Sequence, residues 1–510
     1  MSDRLFGTDG VRGVAGTQLT AELALRLGRA VTRLAQAQQP RVLLIRDTRE
    51  SGEMLQAALA AGVSSAGGEV LLGGVLPTPA APLLLSRYGF DVAAVISASH
   101  NPYADNGIKL FGPDGFKLSD AVEQGIEAEL KGEAELNGAS DAGGVSAETS
   151  AKAPAESSAK ASAESSAKAS AERSAKASAE RSAKASVERS AKASAASNGS
   201  APAIGRIREL RGAREDYVRE LHLRFAELSL DGMRIALDCA NGATYAVAPD
   251  IFRRLGAEVT AIAVQPDGRN INDGCGSTHL QGLIKLMQAG EHSVGFAFDG
   301  DGDRVLAVDR AGTVIDGDEL LALAAIDLQR RGLLGGGVAV TVMTNYGFHT
   351  AMQEAKIDVV TTSVGDRYVL EELRAKGWKL GGEQSGHIIE LGFNSSGDGI
   401  AAALLTLEAL GGADLAEREA MRRLPQSLVN VRVPVDAGLR GAELAAAEAV
   451  TQETARVEQE LMGRGRVLVR PSGTEPLVRV MVEAPSEQEA EELCKRLVSA
   501  IEAQLSRSAD

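Results

Sequence analysis

The chain has 510 residues, a formal net charge of −15 and 44% hydrophobic residues, enough apolar content for several domain cores. The acidic balance argues against nucleic acid as a partner, because a phosphate backbone needs clustered Lys and Arg, and 3% aromatic residues give no stacking platform for single strands. Cys239, Cys275 and Cys494 form no CxxC pair, no apolar run reaches the roughly 18 residues of a membrane span, and Met1–Arg4 lacks a signal peptide's apolar centre, so a cytoplasmic protein with reduced thiols is expected.

In chain order, Leu23, Leu27, Val31 and Leu34 recur at helical spacing between Thr20 and Gln39, with Pro40 as the stop. Val42–Ile45, Val70–Leu72 and Val92–Ile96 read as buried strands, with a small-residue helix from Ser51 between the first two. The alternation returns at Met233–Leu237, Val259–Val264, Gly337–Met343 and Asp358–Val364, a pattern of βαβ units with parallel or mixed sheets. The last eighty or so residues differ. Val429–Val435, Val467–Arg470 and Val478–Val482 read as strands, and Ser486 with Glu489 forms a capping box for a final helix, giving an α+β module.

One segment fits no packed domain. Between about Ser146 and Ser197 an eight-residue unit recurs, as in Ala159–Ser166 and Ala175–Ser182. Glu156, Lys160, Glu164, Lys168 and Glu172 alternate in sign every four residues, but no apolar stripe accompanies them. With no face to bury, the segment is expected to be a linker, disordered or partly helical, and dispensable for catalysis.

Four loops carry chemistry. Ile96–Pro102 follows a buried strand, where α/β sheets bind ligands, and offers Ser99 as a nucleophile that would need a base, a metal or its own phosphorylation. Alone, Ser-His-Asn-Pro is more often a simple turn. If the loop is extended, Ser97 and Ser99 share a side, and orientation cannot choose between them. In Asp299-Gly-Asp301-Gly-Asp303-Arg304, three carboxylates alternate with glycines and can converge on a hard cation such as Mg²⁺ or Ca²⁺. An EF-hand is excluded because its sixth and twelfth positions would be Arg304 and Arg310. Glu383 and Ser385, on alternate residues of a glycine-flanked loop, suit vicinal sugar hydroxyls, with a strand-end turn the equal alternative. His387 in the same loop reads as a satisfied core histidine or one standing behind the site. Arg470, Ser472, Gly473 and Thr474, with Arg479 in the following strand, form a phosphate cradle without a Walker lysine. Arg12 lies in the glycine-flanked Phe6–Gly13, and Lys109 follows the Ser99 loop closely enough to return to it.

In family order, Phe6–Gly13, the Ser99 loop, Asp299–Arg304, Gly382–His387 and Arg470–Pro476 resemble the α-D-phosphohexomutase superfamily over nearly the whole chain except the repeat. The Phe6–Gly10 opening, Gln384, and Val364-Gly-Asp-Arg-Tyr368 resemble the branch acting on glucosamine phosphates, against the glucose and mannose branches. The resemblance implies three related α/β domains with mixed sheets plus a C-terminal α+β domain around a central cleft. The expected domains are 1–135, 204–310, 311–425 and 426–510, with 136–203 a linker. It implies a phosphoserine at Ser99, one Mg²⁺ held by Asp299, Asp301, Asp303 and the Ser99 phosphate, and transfer through a 1,6-bisphosphate that would feed UDP-N-acetylglucosamine synthesis. Glucose or glucosamine 1,6-bisphosphate is the expected activator. Glu383 and Ser385 would hold the sugar ring in two orientations, while Arg470, Ser472, Gly473, Thr474 and Arg479 hold the phosphate that is not reacting. Arg12 and Lys109 would support the transfer, Lys109 as a candidate for the hydroxyl proton. Other members often place a His in the third-domain loop as a second acid/base; Asp366-Arg367 stands near there, leaving that role unassigned. The expected partners are sugar phosphates, with no nucleic acid, no membrane and a homodimer possible. A non-catalytic sugar-phosphate binder on the same fold is disfavoured by the intact Ser99 and three aspartates, and a phosphatase would show net phosphate release.

Overall fold

The computed structural model describes residues 4–7, 9–141, 204–434, 440–472 and 476–509, so the repeat lies outside the described residues. The chain divides into two compact units: one of residues 1–220 with 240–247 and 263–273, the other of 221–239, 248–262 and 274–510.

In the first unit the strands β1 (Val11–Val14), β2 (Arg41–Arg46), β3 (Glu69–Val75), β4 (Val92–Ile96), β5 (Asp105–Phe111) and β6 (Ile207–Glu209) form one sheet in the order β1-β5-β4-β2-β3-β6. β2 runs parallel to β3 and β4, while β5 is antiparallel to both β4 and β1, which makes the sheet mixed. The helix Ala21–Leu34 begins at Thr20, whose hydroxyl accepts from the Leu23 amide at 3.2 Å. It stops at Leu34, short of Pro40, because Ala35 has already turned to extended backbone. Leu27 and Val31 bury its apolar stripe against Leu44, Leu59, Ile96 and Ile108. The strand Ile207–Glu209, beyond the repeat, pairs in parallel with β3.

In the second unit, β7 (Arg234–Asp238), β8 (Glu258–Ile262), β9 (Val294–Phe298), β10 (Val305–Asp309) and β11 (Val314–Ile315) form a mixed sheet in the order β11-β10-β9-β7-β8. β12 (Gly337–Thr341), β13 (Asp358–Thr362), β14 (Leu380–Gly382) and β15 (Ile388–Glu390) follow in the order β13-β12-β14-β15, parallel except for the β14–β15 hairpin. Asp316, Asn345 and Asp398 each cap the helix that follows them. The C-terminal sheet, of β16 (Gln426–Arg432), β17 (Arg466–Pro471) and β18 (Leu477–Glu483), is wholly antiparallel, with β18 in the middle. Helices Glu448–Leu461 and Glu487–Ala509 cover it through Val457, Leu461, Leu493 and Leu497. This is the expected α+β module. Ser486 caps its last helix, its hydroxyl accepting from the Glu489 amide at 3.2 Å. Among the described residues no helix is long and apolar enough to cross a membrane.

Candidate active site

In the first unit, the fully buried strand β4 delivers Ser97–Pro102 at its carboxyl end, and Ser97 donates its amide to the Gly107 carbonyl on β5 at 3.0 Å. Ser99 has φ 53°, in the left-handed region, so the loop is not extended and the alternation argument for its serines fails. Hydrogen bonds separate the two instead. The Ser97 hydroxyl donates to Asp47 Oδ2 at 2.6 Å and accepts the Ser99 amide at 3.0 Å, whereas Ser99 Oγ lies 3.3 Å from His100 Nδ1. Arg49, fully buried, donates to the carbonyls of Ser99 (3.0 Å), Asn101 (2.8 Å) and Pro102. Asp47 orients Arg49 through Nε at 2.9 Å. Burial raises the Asp47 carboxyl above its ordinary value against the opposing charge of Arg49 and the hydrogen bond from Ser97.

Arg12 on β1 and Lys109 on β5 come together with Lys117 around Asp9. Arg12 Nη2 and Lys117 Nζ lie 2.9 and 2.7 Å from the Asp9 carboxylate. Burial alone would raise Asp9, but Lys117, Lys109 and Arg12 pull it well below the usual carboxylate range. Lys109 is almost fully buried and sits opposite Val95 on β4, the strand that leads into the Ser99 loop. Sequence reasoning gave no role to Asp9, Lys117 or Arg49. Asp47-Thr48-Arg49 stands at the carboxyl end of a parallel strand, and that same signal singled out Ser99.

In the second unit, β9 and β10 pair from Phe298 and Val305 outward, so Asp299–Arg304 is a hairpin loop closed at its base by two buried apolar residues. Gly302 turns it at φ 71°, which an L-residue rarely adopts. One carboxylate oxygen from each of Asp299, Asp301 and Asp303 lies within 4.8 Å of the other two, and all three residues are buried. Three buried anions repel unless a cation neutralises them, and an all-oxygen donor set suits a hard divalent ion, so these residues fit a metal.

The Glu383–His387 loop connects β14 to β15 and packs back on this hairpin. Val305 donates its amide to the Gly386 carbonyl at 3.1 Å, and a Cβ on Gly386 would collide with the Val305 carbonyl. Ser385 is exposed, and one Glu383 oxygen accepts the Gly365 amide at 3.1 Å. Gln384 is tied to the start of the helix Gly317–Arg330. Its side-chain amide reaches Asp316 Oδ2 at 3.2 Å and its carbonyl accepts from Gly317 at 3.0 Å, so it anchors the loop. His387 Nε2 accepts from the Gly397 amide at 3.2 Å, which puts the ring proton on Nδ1, 3.7 Å from Asp303 Oδ1. His387 therefore stands behind the Asp299–Arg304 hairpin.

Arg470 on β17 faces Arg479 on β18 as its direct cross-strand partner. Burial, and then the charge of Arg479, lower Arg470 below the ordinary guanidinium value. Ser472 donates its amide to Leu477 O at 2.9 Å, closing the loop base. Gly473 and Thr474 lie outside the described residues.

The chain matches the domains described as Phosphoglucomutase/phosphomannomutase, alpha/beta/alpha domain I over residues 3–137, domain II over 215–312, domain III over 316–427 and the C-terminal domain over 428–500. Among solved structures it is similar to a phosphoglucomutase/phosphomannomutase family protein of Burkholderia thailandensis, with TM-score 0.71, 22% identity and 98% of each chain covered. It is also similar in fold to the N-acetylphosphoglucosamine mutase of Aspergillus fumigatus, with TM-score 0.61, 19% identity, and 98% of this chain and 95% of that one covered. The chain belongs to the phosphoglucomutase/phosphomannomutase family, and within it to the phosphoglucosamine mutases. It is 45% identical to the phosphoglucosamine mutase of Moorella thermoacetica, over 96% of this chain and 97% of the relative. It is 42% identical to that of Aeromonas salmonicida, over 98% and 99%.

Proposed function

We propose that the protein interconverts glucosamine 6-phosphate and glucosamine 1-phosphate in the cytoplasm, with Ser99 as the phosphoryl carrier. The observation that carries the substrate is the near-full-length similarity to relatives named for this activity. Phosphorylated Ser99 gives its phosphoryl group to the free hydroxyl of the bound sugar phosphate: a new O–P bond forms as the Ser99 Oγ–P bond breaks, and a 1,6-bisphosphate results. The bisphosphate turns over and returns its other phosphoryl group to Ser99, so the enzyme is regenerated and the isomer leaves.

Asp299, Asp301 and Asp303 would hold one Mg²⁺, whose chemistry here is neutralisation of the charge on the transferring phosphoryl group. The Aspergillus fumigatus neighbour was solved with GlcNAc-6P and magnesium, in keeping with that assignment. Glu383 and Ser385 bind the sugar hydroxyls in either orientation. Arg470 and Arg479, with Ser472, Gly473 and Thr474, hold the phosphate that is not reacting. Lys109, buried beside Asp9, takes and returns the hydroxyl proton, and Arg12 adds positive charge. Glucose or glucosamine 1,6-bisphosphate primes enzyme that has lost its phosphate.

A mutase assay on glucosamine, glucose and mannose phosphates tests this reading. The highest kcat/KM is expected for glucosamine phosphate; a higher value for glucose or mannose phosphate overturns the substrate assignment.

A further inference from the structure

Among the described residues, seven that are not glycine hold a positive φ. Lys356 and Met462 close helix ends, but the other five lie along one hydrogen-bonded path to the Ser99 loop. Asn241 donates its amide to the Ala263 carbonyl at 2.7 Å, and Asn272 donates its amide to the Ala240 carbonyl at 2.9 Å. The Asn272 side chain then donates to the Ser99 carbonyl at 2.9 Å and to the Asn101 carbonyl at 3.1 Å. These same two carbonyls are the ones Arg49 holds from the other donor set. Each therefore receives one guanidinium and one amide hydrogen bond. Thr48 ties the two clamps together, its hydroxyl donating to the Asn241 carbonyl at 2.6 Å. All of these residues belong to the first compact unit.

A loop needing only satisfied carbonyls would not need its serine in a strained conformation. Left-handed backbone at an L-residue persists only where the surroundings over-determine it, and such residues cluster where a side chain must be aimed. Resting on the reading that Ser99 carries the phosphoryl group, we infer that Arg49 and Asn272 are positioning residues that hold Ser99 at positive φ by its own carbonyl, and so present its Oγ in one orientation through both transfers. Asp47 and Ser97 serve the same end from the amino side, Asp47 by orienting Arg49 and Ser97 by accepting the Ser99 amide.

The discriminating variant is Asn272→Gly, because glycine adopts φ 60° without strain while the amide donor is deleted. Arg49→Lys keeps a cation beside Asp47 and loses the forked donor. Both should lower kcat by about ten- to a hundredfold, the cost of misplacing a reacting group by an ångström or less, with KM for the sugar phosphate within about threefold. Rephosphorylation of Ser99 by glucose 1,6-bisphosphate, followed by intact-mass spectrometry in single turnover, should slow in parallel. The double variant should lose less than the product of the single losses, since both act on the same two carbonyls. Normal kcat and rephosphorylation in Asn272→Gly overturns the inference, and so does a loss in both variants that merely tracks melting temperature. Ser99→Ala separates the two levels: near-normal turnover there sinks the phosphoserine reading itself, while an inactive Ser99→Ala beside a fully active Asn272→Gly sinks only the positioning role.

Discussion

Arg470 and Arg479 stand directly opposite each other on β17 and β18, two like charges paired across a ladder where such pairs ordinarily destabilise. An anion between the guanidiniums converts that repulsion into two charge-assisted contacts. Inorganic phosphate should therefore raise the melting temperature of the wild type and do so much less in Arg470→Ala. The same variant should raise KM for glucosamine 6-phosphate by about ten- to a hundredfold, the range expected for one hydrogen bond to a charged group. Equal stabilisation of both proteins by phosphate would exclude Arg470 from the anion site.

The three buried aspartates lead to a stability test as well as an activity test. Without a divalent ion, Asp299, Asp301 and Asp303 repel within 4.8 Å. Asp301→Asn should match or exceed the wild type's melting temperature in chelator, yet lose the stabilisation that Mg²⁺ confers and most of the turnover. Full wild-type activity in excess chelator would rule out the metal role of this hairpin.

The two serines of the loop should part company. Phosphate should map to Ser99 in peptides from active enzyme, and Ser99→Ala should lower turnover by orders of magnitude while sugar-phosphate binding survives. Ser97→Ala leaves a buried Asp47 oxygen without its 2.6 Å donor and frees the Ser99 amide. It should cost about 1–3 kcal/mol of stability in denaturant titrations. Phosphate on Ser97 would reverse these assignments.

Asp318 makes stability depend on pH. Its carboxylate accepts the Asn345 amide at 2.8 Å, but burial, followed by the charges of Asp316 and Glu483, pushes its pKa up to about 7. The folded protein thus keeps a proton that the unfolded chain has released. This contribution is fully present below the ordinary aspartate value and is lost as pH rises toward about 7. Asp318→Asn stays neutral throughout. Urea midpoints should show the variant gaining on the wild type between pH 4 and pH 7, with the difference levelling off above that range. A difference constant across that range would show that Asp318 titrates normally.

Much of the site was legible because its chemistry is local. The aspartates, glycines and turn of the candidate metal hairpin lie within six consecutive residues, Asp299–Arg304, whereas the strands beside them, Val294–Phe298 and Val305–Asp309, were not singled out. Ser99 was legible because a strand's carboxyl end is where an α/β sheet presents a side chain. The helix Ala21–Leu34 was legible from its apolar spacing, although Pro40 marked its end too late. The three-residue strands β14 and β15 were not, since three residues carry no period to read.

By itself, then, the sequence determined the alternation of elements, the four chemical loops and the family they resemble, because each is written in neighbouring residues or in a repeating period. Only the tertiary structure decided which residues hold those loops in shape. Asn272 reaches Ser99 across 173 positions and Lys117 reaches Asp9 across 108. Gln384, read from the sequence as part of a sugar-binding loop, spends its side chain on Asp316. Such pairings follow from how strands and loops pack, and packing distance bears no fixed relation to distance along the chain.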